Sequence, residues 1–409
     1  MMSKPSSGTH AHEQVPLVDP DAREHARHRQ QANRRRRGGT RPEVIKMAPV
    51  VRALRESSSL LCTLVSTGQH RDLLARAFGD VGIVPDIELS LMTENQSPSA
   101  FVARCITALD EVFAQLTPQS VLVQGDTSSA CAGAMAATWR SVPVGHVEAG
   151  LRSFNFQEPF PEEFHRRVVG VAAQWHFAPT PESRDNLLRE GVPMHRIFVT
   201  GNTIVDAVQQ MDVSRPFENR LLDAIPAGRL ALVTAHRREN QGESMRDIAR
   251  AVKRLVSSVT DLQVVLPLHP NPNVRGLFEQ ELGGTPRVHL LEPLSYPDLL
   301  KVLHKSTIIL SDSGGLQEEA PSVGRPILIL RERTERPEVV QVGAGILVGT
   351  DPDLIVKEAL SILCDPAVYE RMVTVPNPFG DGKASARITE ILESALCDEV
   401  DWPRISMVL

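Results

Sequence analysis

Two doubly wound parallel α/β domains are the fold class that this 409-residue sequence predicts. Three observations carry that reading. The length exceeds what one hydrophobic core serves. From Thr40 onward, short apolar runs alternate with segments of helical period. A polar, proline-containing stretch at Ser214–Gly228 then divides this alternation into two series.

The first series of strands is read at Leu60–Val65, Val121–Val123, Val142–Val147, His176–Ala178 and Ile197–Val199, with a helix after Asn202. The second is read at Leu230–Thr234, Val264–Leu268, Val288–Leu291, Thr307–Leu310, Pro326–Leu330 and Ile346–Val348. Helical periodicity fills the gaps, as in Met245–Val256 and Asp351–Leu363. The expected organisation is a disordered, Arg-rich tail over 1–38, a Rossmann-like domain over 39–206 and a second over 207–382. A C-terminal helix and tail over 383–409 is expected to pack back on the first domain. The tail reading rests on the many charges and few apolar residues that run up to Arg34-Arg35-Arg36-Arg37.

Composition narrows the function. An apolar share of 42 % is that of a globular protein, and the apolar runs are strand-length, which predicts no membrane span. Residues 1–39 hold no apolar signal-peptide core. Five scattered cysteines without C-x-x-C spacing read as reduced thiols of a cytoplasmic protein, with no metal site. The net charge of −6 argues against nucleic acid as a partner.

The chemistry-bearing motifs sit at strand ends, where open α/β sheets bind ligands. Asp126 follows one apolar run and Glu148 the next, with a small-residue helix between them. Either acid alone could be a helix cap or a turn residue; two at neighbouring strand ends can work as a paired acid and base. Glu162 and Glu163 open a helix in FPEEFHRR, where acids also complement the dipole. Arg41 and Lys46, in TRPEVIK, would present two cations at a helix start. In the second series His236 ends the first strand, as a hydroxyl or phosphate donor or a proton carrier. Ser313-Gly314-Gly315 marks a strand-to-helix turn where backbone N–H groups can approach a diphosphate. Glu319, one turn on, can accept from ribose hydroxyls, and Arg336 lies in the downstream TERPE loop.

Taken in order, GTRPEVIKMAPV, STGQHRDLL, GDT, HVEAGLRS, FPEE and TGNT resemble the non-hydrolysing UDP-N-acetylglucosamine 2-epimerases. In the second half TAHRREN, HPNPNVR, SDSGGLQEEAP, TERPE and NPFGDGKAS carry the same resemblance. It implies the two-domain GT-B fold with an interdomain active-site cleft, usually as a homodimer. It implies a cofactor-free interconversion of UDP-GlcNAc and UDP-ManNAc, through elimination of UDP to 2-acetamidoglucal. By motif, Asp126, Glu148 and Glu162 would be the acid/base carboxylates, and His236 would help UDP leave. Arg41, Lys46, Ser313, Gly314, Gly315, Glu319 and Arg336 would hold the nucleotide, and Gln69, His70, Arg71 and Gln96 correspond to an allosteric substrate site. Competing readings are a GT-B UDP-sugar glycosyltransferase, a hydrolysing 2-epimerase and an inactive sugar-nucleotide binder.

One departure is large. Family members place an apolar strand directly before GTRPE, at the centre of the first sheet. Here that place reads HRQQANRRRRG (His28–Gly38), whose charges cannot enter a core. The expectation is a first sheet lacking its central strand, with two neighbours left unpaired and several kcal/mol lost from a margin of roughly 5–15.

Overall fold

The computed structural model describes residues 41–68, 71–93, 96–157, 159–397 and 404–409; of Arg41, residues 71–73 and Arg238 it describes the backbone only. The Arg-rich tail, Gln69 and His70 therefore lie outside the described residues, as do the side chains of Arg41 and Arg71.

Two parallel sheets organise the chain. The first contains β1 (Leu61–Ser66), β2 (Ile87–Glu88), β3 (Ser120–Gln124), β4 (Val144–Val147), β5 (Ala173–Ala178) and β6 (Ile197–Val199). The second contains β7 (Arg229–Thr234), β8 (Leu262–Pro267), β9 (Val288–Leu291), β10 (Ile308–Ser311), β11 (Ile327–Ile329) and β12 (Gly345–Leu347). A further strand, β13 (Arg404–Val408), joins the first sheet. The orders are β2-β1-β13-β3-β4-β5-β6 and β12-β11-β10-β7-β8-β9. The eleven strands expected from the sequence are all present, shifted by a few residues at their ends; β2 and β13 are additional.

The expectation of a missing central strand is overturned. β13 lies between β1 and β3, parallel to both, with Val65 and Val123 each paired to Val408. The segment read as a tail is thus the middle of the sheet. Ile405, Ser406 and Met407 have no exposed surface, and the faces alternate. Ile405, Met407 and Leu409 enter the cluster that holds Val44, Met47 and Val51 of the helix Arg41–Glu56. Val408 points the other way, into the cluster of Ala130, Cys131 and Ala134 from the helix Ser128–Trp139. Gly133 of that helix permits the approach, since a Cβ there would lie 3.3 Å from Val408 Cβ. The ladder continues at both ends: Gln119 N–H donates to Arg404 O (2.9 Å), Leu409 N–H to Val65 O (2.9 Å) and Thr67 N–H to Leu409 O (2.7 Å).

The helix Ala384–Leu396 follows the second sheet and packs on Arg41–Glu56 and Thr203–Gln210. Asp206 fixes its start by accepting from Ala384 N–H (3.2 Å) and from Ser385 N–H and Oγ–H (2.8 and 2.6 Å). Ser57 and Ser59 hold its far end through Glu393. No helix among the described residues is long and apolar enough to cross a membrane.

Candidate active site

Each sheet delivers its polar residues to its carboxyl edge, and the two edges meet. In the first half, β3 ends in Gly125-Asp126-Thr127, where Thr127 caps the helix Ser128–Trp139 by accepting from Ala130 N–H. β4 ends at Glu148, whose φ of +66° places a non-glycine residue in the left-handed region. Such strain persists where surrounding contacts over-determine it, and here two side chains do so. Lys46 Nζ donates to Glu148 Oε1 (2.7 Å), and Gln124 donates to its other oxygen. The helix Glu162–Ala172 begins with Glu162 and Glu163 and carries Arg166 one turn on; Glu163 and Arg166 are buried. Arg166 clasps Asp126 Oδ2 from two nitrogens, at 2.8 and 2.7 Å.

In the second half, His236 lies two residues beyond β7 and Asp312 directly after β10. The fully buried Asp312 carboxylate accepts from the backbone N–H groups of His236 (2.9 Å) and Arg237 (2.8 Å) and from Asn240 Nδ2 (3.1 Å). It also faces His236 Nδ1 at 3.3 Å, while the imidazole stacks on His269 with centroids 5.4 Å apart. Ser313 then takes the N-cap position of the helix Gly314–Ser322, with no side-chain capping hydrogen bond. A Cβ at Gly314 would lie 3.0 Å from Arg336 Nη1 and 3.4 Å from Arg237 Nη2, so two guanidinium groups cover bare backbone at a helix N-terminus. That combination is an anion cradle. A Cβ at Gly315 would meet only Ser313 Oγ at 3.9 Å.

A row of alternating charges joins the halves. Asp126 pairs with Arg166, Arg166 with Glu335 (3.6 Å), and Glu335 with Arg336 (3.4 Å). Arg336 pairs with Glu318 (2.7 Å), Glu318 with Lys46 (2.8 Å) as an ion pair rather than an aligned hydrogen bond, and Lys46 with Glu148. The row crosses from one half to the other at Arg166–Glu335 and again at Glu318–Lys46. Its two end members are pushed in opposite directions. Burial raises the Asp126 carboxyl, but Arg166, Lys46 and Arg336 outweigh it and hold it below its ordinary value. Burial raises the Glu148 carboxyl too, and with Glu318 beside it the balance stays above the ordinary value despite Lys46. Burial also pushes Glu43, which bonds Thr127, well above.

The structure brings Asp126, Glu148, Lys46 and Arg336 into one row and sets Gly314 against Arg336. Glu162 opens the helix that supplies Arg166, Glu319 is buried beside Glu318, and His236 lies at the same edge as Ser313. Gln96 stands apart from the row, on the stretch before the helix Pro98–Leu116, where its carbonyl accepts from Thr93. Arg166, Asp312, Glu318 and Glu335 were not singled out from sequence. A signal existed for two of them: Arg166 lies one helical turn after Glu162–Glu163, and Asp312 lies at a strand end inside SDSGG. Among the described residues no group of His, Cys, Asp and Glu is arranged to hold a metal ion.

Comparison with known proteins follows this geometry. The family model described as UDP-N-acetylglucosamine 2-epimerase matches residues 52–393. The UDP-N-acetylglucosamine 2-epimerase of Bacillus subtilis is 45 % identical over 354 residues, 87 % of this chain and 93 % of the relative. The crystal structure of the Neisseria meningitidis UDP-GlcNAc 2-epimerase bound to UDP-GlcNAc superposes with a TM-score of 0.79 at 40 % identity, covering 87 % of this chain and 98 % of that one. A Staphylococcus aureus MnaA–UDP structure gives 0.81 at 42 % identity, covering 90 % and 97 %.

Proposed function

We propose that this chain, which belongs to the UDP-N-acetylglucosamine 2-epimerase family, interconverts UDP-GlcNAc and UDP-ManNAc without hydrolysing either. The observation that carries the reading is the pair Asp126 and Glu148. They end adjacent strands, are shifted in opposite directions and face a cation-lined, glycine-backed cradle. Environments that push two carboxyls apart prepare one to stay ionised and the other to hold a proton.

The C2 hydrogen of the sugar is not acidic, so a carboxylate must take it while the C1–O bond breaks. The electrons of C2–H form the C1=C2 bond of 2-acetamidoglucal, and those of C1–O leave with UDP. Return of UDP to C1, with a proton delivered to the opposite face of C2, gives the epimer. Asp126, Glu148 and Glu162 are the proposed proton carriers. Arg41, Lys46, Arg336 and the Ser313-Gly314-Gly315 turn hold the diphosphate, where fixed donors stabilise the developing charge. His236, oriented by Asp312, assists departure of UDP, and Glu319 accepts from the ribose. Homodimerisation and an allosteric site at Gln69, His70, Arg71 and Gln96 belong to the same proposal.

Proton NMR of UDP-GlcNAc incubated with the protein in D2O tests the reading. UDP-ManNAc carrying deuterium at C2 is the expected product. Free ManNAc with UDP would make the enzyme a hydrolysing one. An unchanged spectrum with bound UDP would make it a glycosyltransferase or an inactive binder.

A further inference from the structure

We propose that β13 (Arg404–Val408), with Leu409 after it, positions the start of the helix Arg41–Glu56 and the Asp126 loop, and that the chain is a circular permutation of one βαβ unit, β13–helix–β1.

The argument is topological first. Counted from β7, the second sheet has the order 3-2-1-4-5-6 of a doubly wound fold. The first sheet, counted along the chain, has no such order. Counted from β13, it becomes 3-2-1-4-5-6-7. Its switch point then falls between β13 and β3, where ligands of such sheets bind and where Asp126 stands. In the second sheet the corresponding point lies between β7 and β10, where His236 and Ser313 stand.

Geometry agrees. β13 runs parallel to β1 and β3, so its Leu409 end lies at their carboxyl edge. The helix Arg41–Glu56 starts at that edge, since Glu43 bonds Thr127 just beyond β3, and feeds β1 after four residues, Ser57–Leu60. This is the path of a crossover helix between neighbouring parallel strands β13 and β1. Joining Leu409 to Gly39 would leave two residues, Gly39 and Thr40, before Arg41. Connections of 2–6 residues are the rule in α/β units. A hydrogen-bond path already links these parts: Leu409 O accepts from Thr67 N–H, and Thr67 Oγ1 bonds Ser129 Oγ (2.8 Å) in the first turn after Thr127. β13 thus positions the site without touching the reacting atoms.

The test compares the full chain with a relinked one, in which residues 404–409 run directly into 39–397. The relinked chain is expected to melt no lower than the parent and to turn over UDP-GlcNAc within about threefold of it. A relinked chain that is unfolded, or folded but slower by about tenfold or more, overturns the proposal. Hydrogen exchange on the unaltered full chain is the second measurement. The amides of Ile405–Val408 should exchange as slowly as those of Val121–Val123, and fast exchange at Ile405–Val408 overturns the proposal. Melting and exchange need no catalysis, so failure of the epimerase reading would be told apart from failure of this one.

Discussion

The two sheets share one strand order but obtain their central strand differently. In the second, β7 comes first and runs straight into the loop bearing His236. In the first, the central strand arrives from the far end of the sequence, and Leu61 pairs with Arg404. The final packing is equivalent: Leu232 and Met407 are both fully buried in the middle of their sheets. Register and burial of both faces select a central strand, and sequence adjacency does not. What differs is loop closure. Its entropy grows only logarithmically with length, so stability suffers little, but folding of the first sheet must await its last segment.

That comparison can be broken most severely at the two centres. Met407→Ala and Leu232→Ala should each cost about 2–5 kcal/mol in urea unfolding, the range for large-to-small core changes. A loss at Met407 under about 1 kcal/mol would show that β13 is peripheral in solution.

The halves should also separate chemistry from nucleotide holding. Asp126→Asn and Glu148→Gln are expected to lower kcat by about a hundredfold or more while the variants still bind UDP in calorimetry. Near-normal turnover in either variant would remove that carboxylate from the mechanism. Gly314→Ala should instead weaken UDP binding in calorimetry, because the methyl group displaces Arg336 and Arg237 from the cradle. Gly315→Ala, with open space around it, should weaken binding less.

A finer test concerns the coupling between halves. Glu148 is faced by Lys46 and Glu43 from the first helix, by Glu318 and Arg336 from the second half, and Asp126 lies in the same group. Glu318→Gln removes a negative charge that holds the Glu148 carboxyl up. The limb of the pH–rate profile that Glu148 governs should therefore move to lower pH, and an unmoved profile would show that the halves titrate independently.

The smallest expected effect is at Glu43. Burial raises its carboxyl well above the ordinary value of 4.5, so the folded chain binds that proton more tightly than the unfolded one. Its contribution to stability is full below 4.5 and is lost as pH rises through the folded value. Glu43→Gln should flatten the decline of melting temperature over that window, and an identical pH slope would contradict it.

Much of the fold was legible because its strands are uninterrupted apolar runs that stop at a polar residue, as VLVQGD and LALVTAH do. β13 was not. RISMVL is short, broken by Ser406, and follows the polar stretch DEVDWP, so it reads as the remainder of a tail. Sequential strands usually neighbour one another, and that prior points to residues before Gly39 for the missing strand. In the site, Asp126 and His236 announce themselves by ending strands. Glu318 and Glu335 do not, because besides Arg336 each pairs with a cation across the cleft, Lys46 or Arg166, on helices more than a hundred positions earlier in the chain.

The row of charges across the cleft also bears on how an anion enters it. Lys46 and Arg336 already have carboxylate partners in Glu148, Glu318 and Glu335. On the proposed assignment of these cations to the nucleotide, an arriving diphosphate displaces built-in counter-ions more than it collects free cations. Its affinity is the difference between two sets of ion pairs, and few salt ions are released when the exchange occurs. Binding to such a site should respond weakly to ionic strength for a ligand so highly charged. On the same assignment, the carboxylates set free by that exchange, Glu148 among them, would be left beside the sugar.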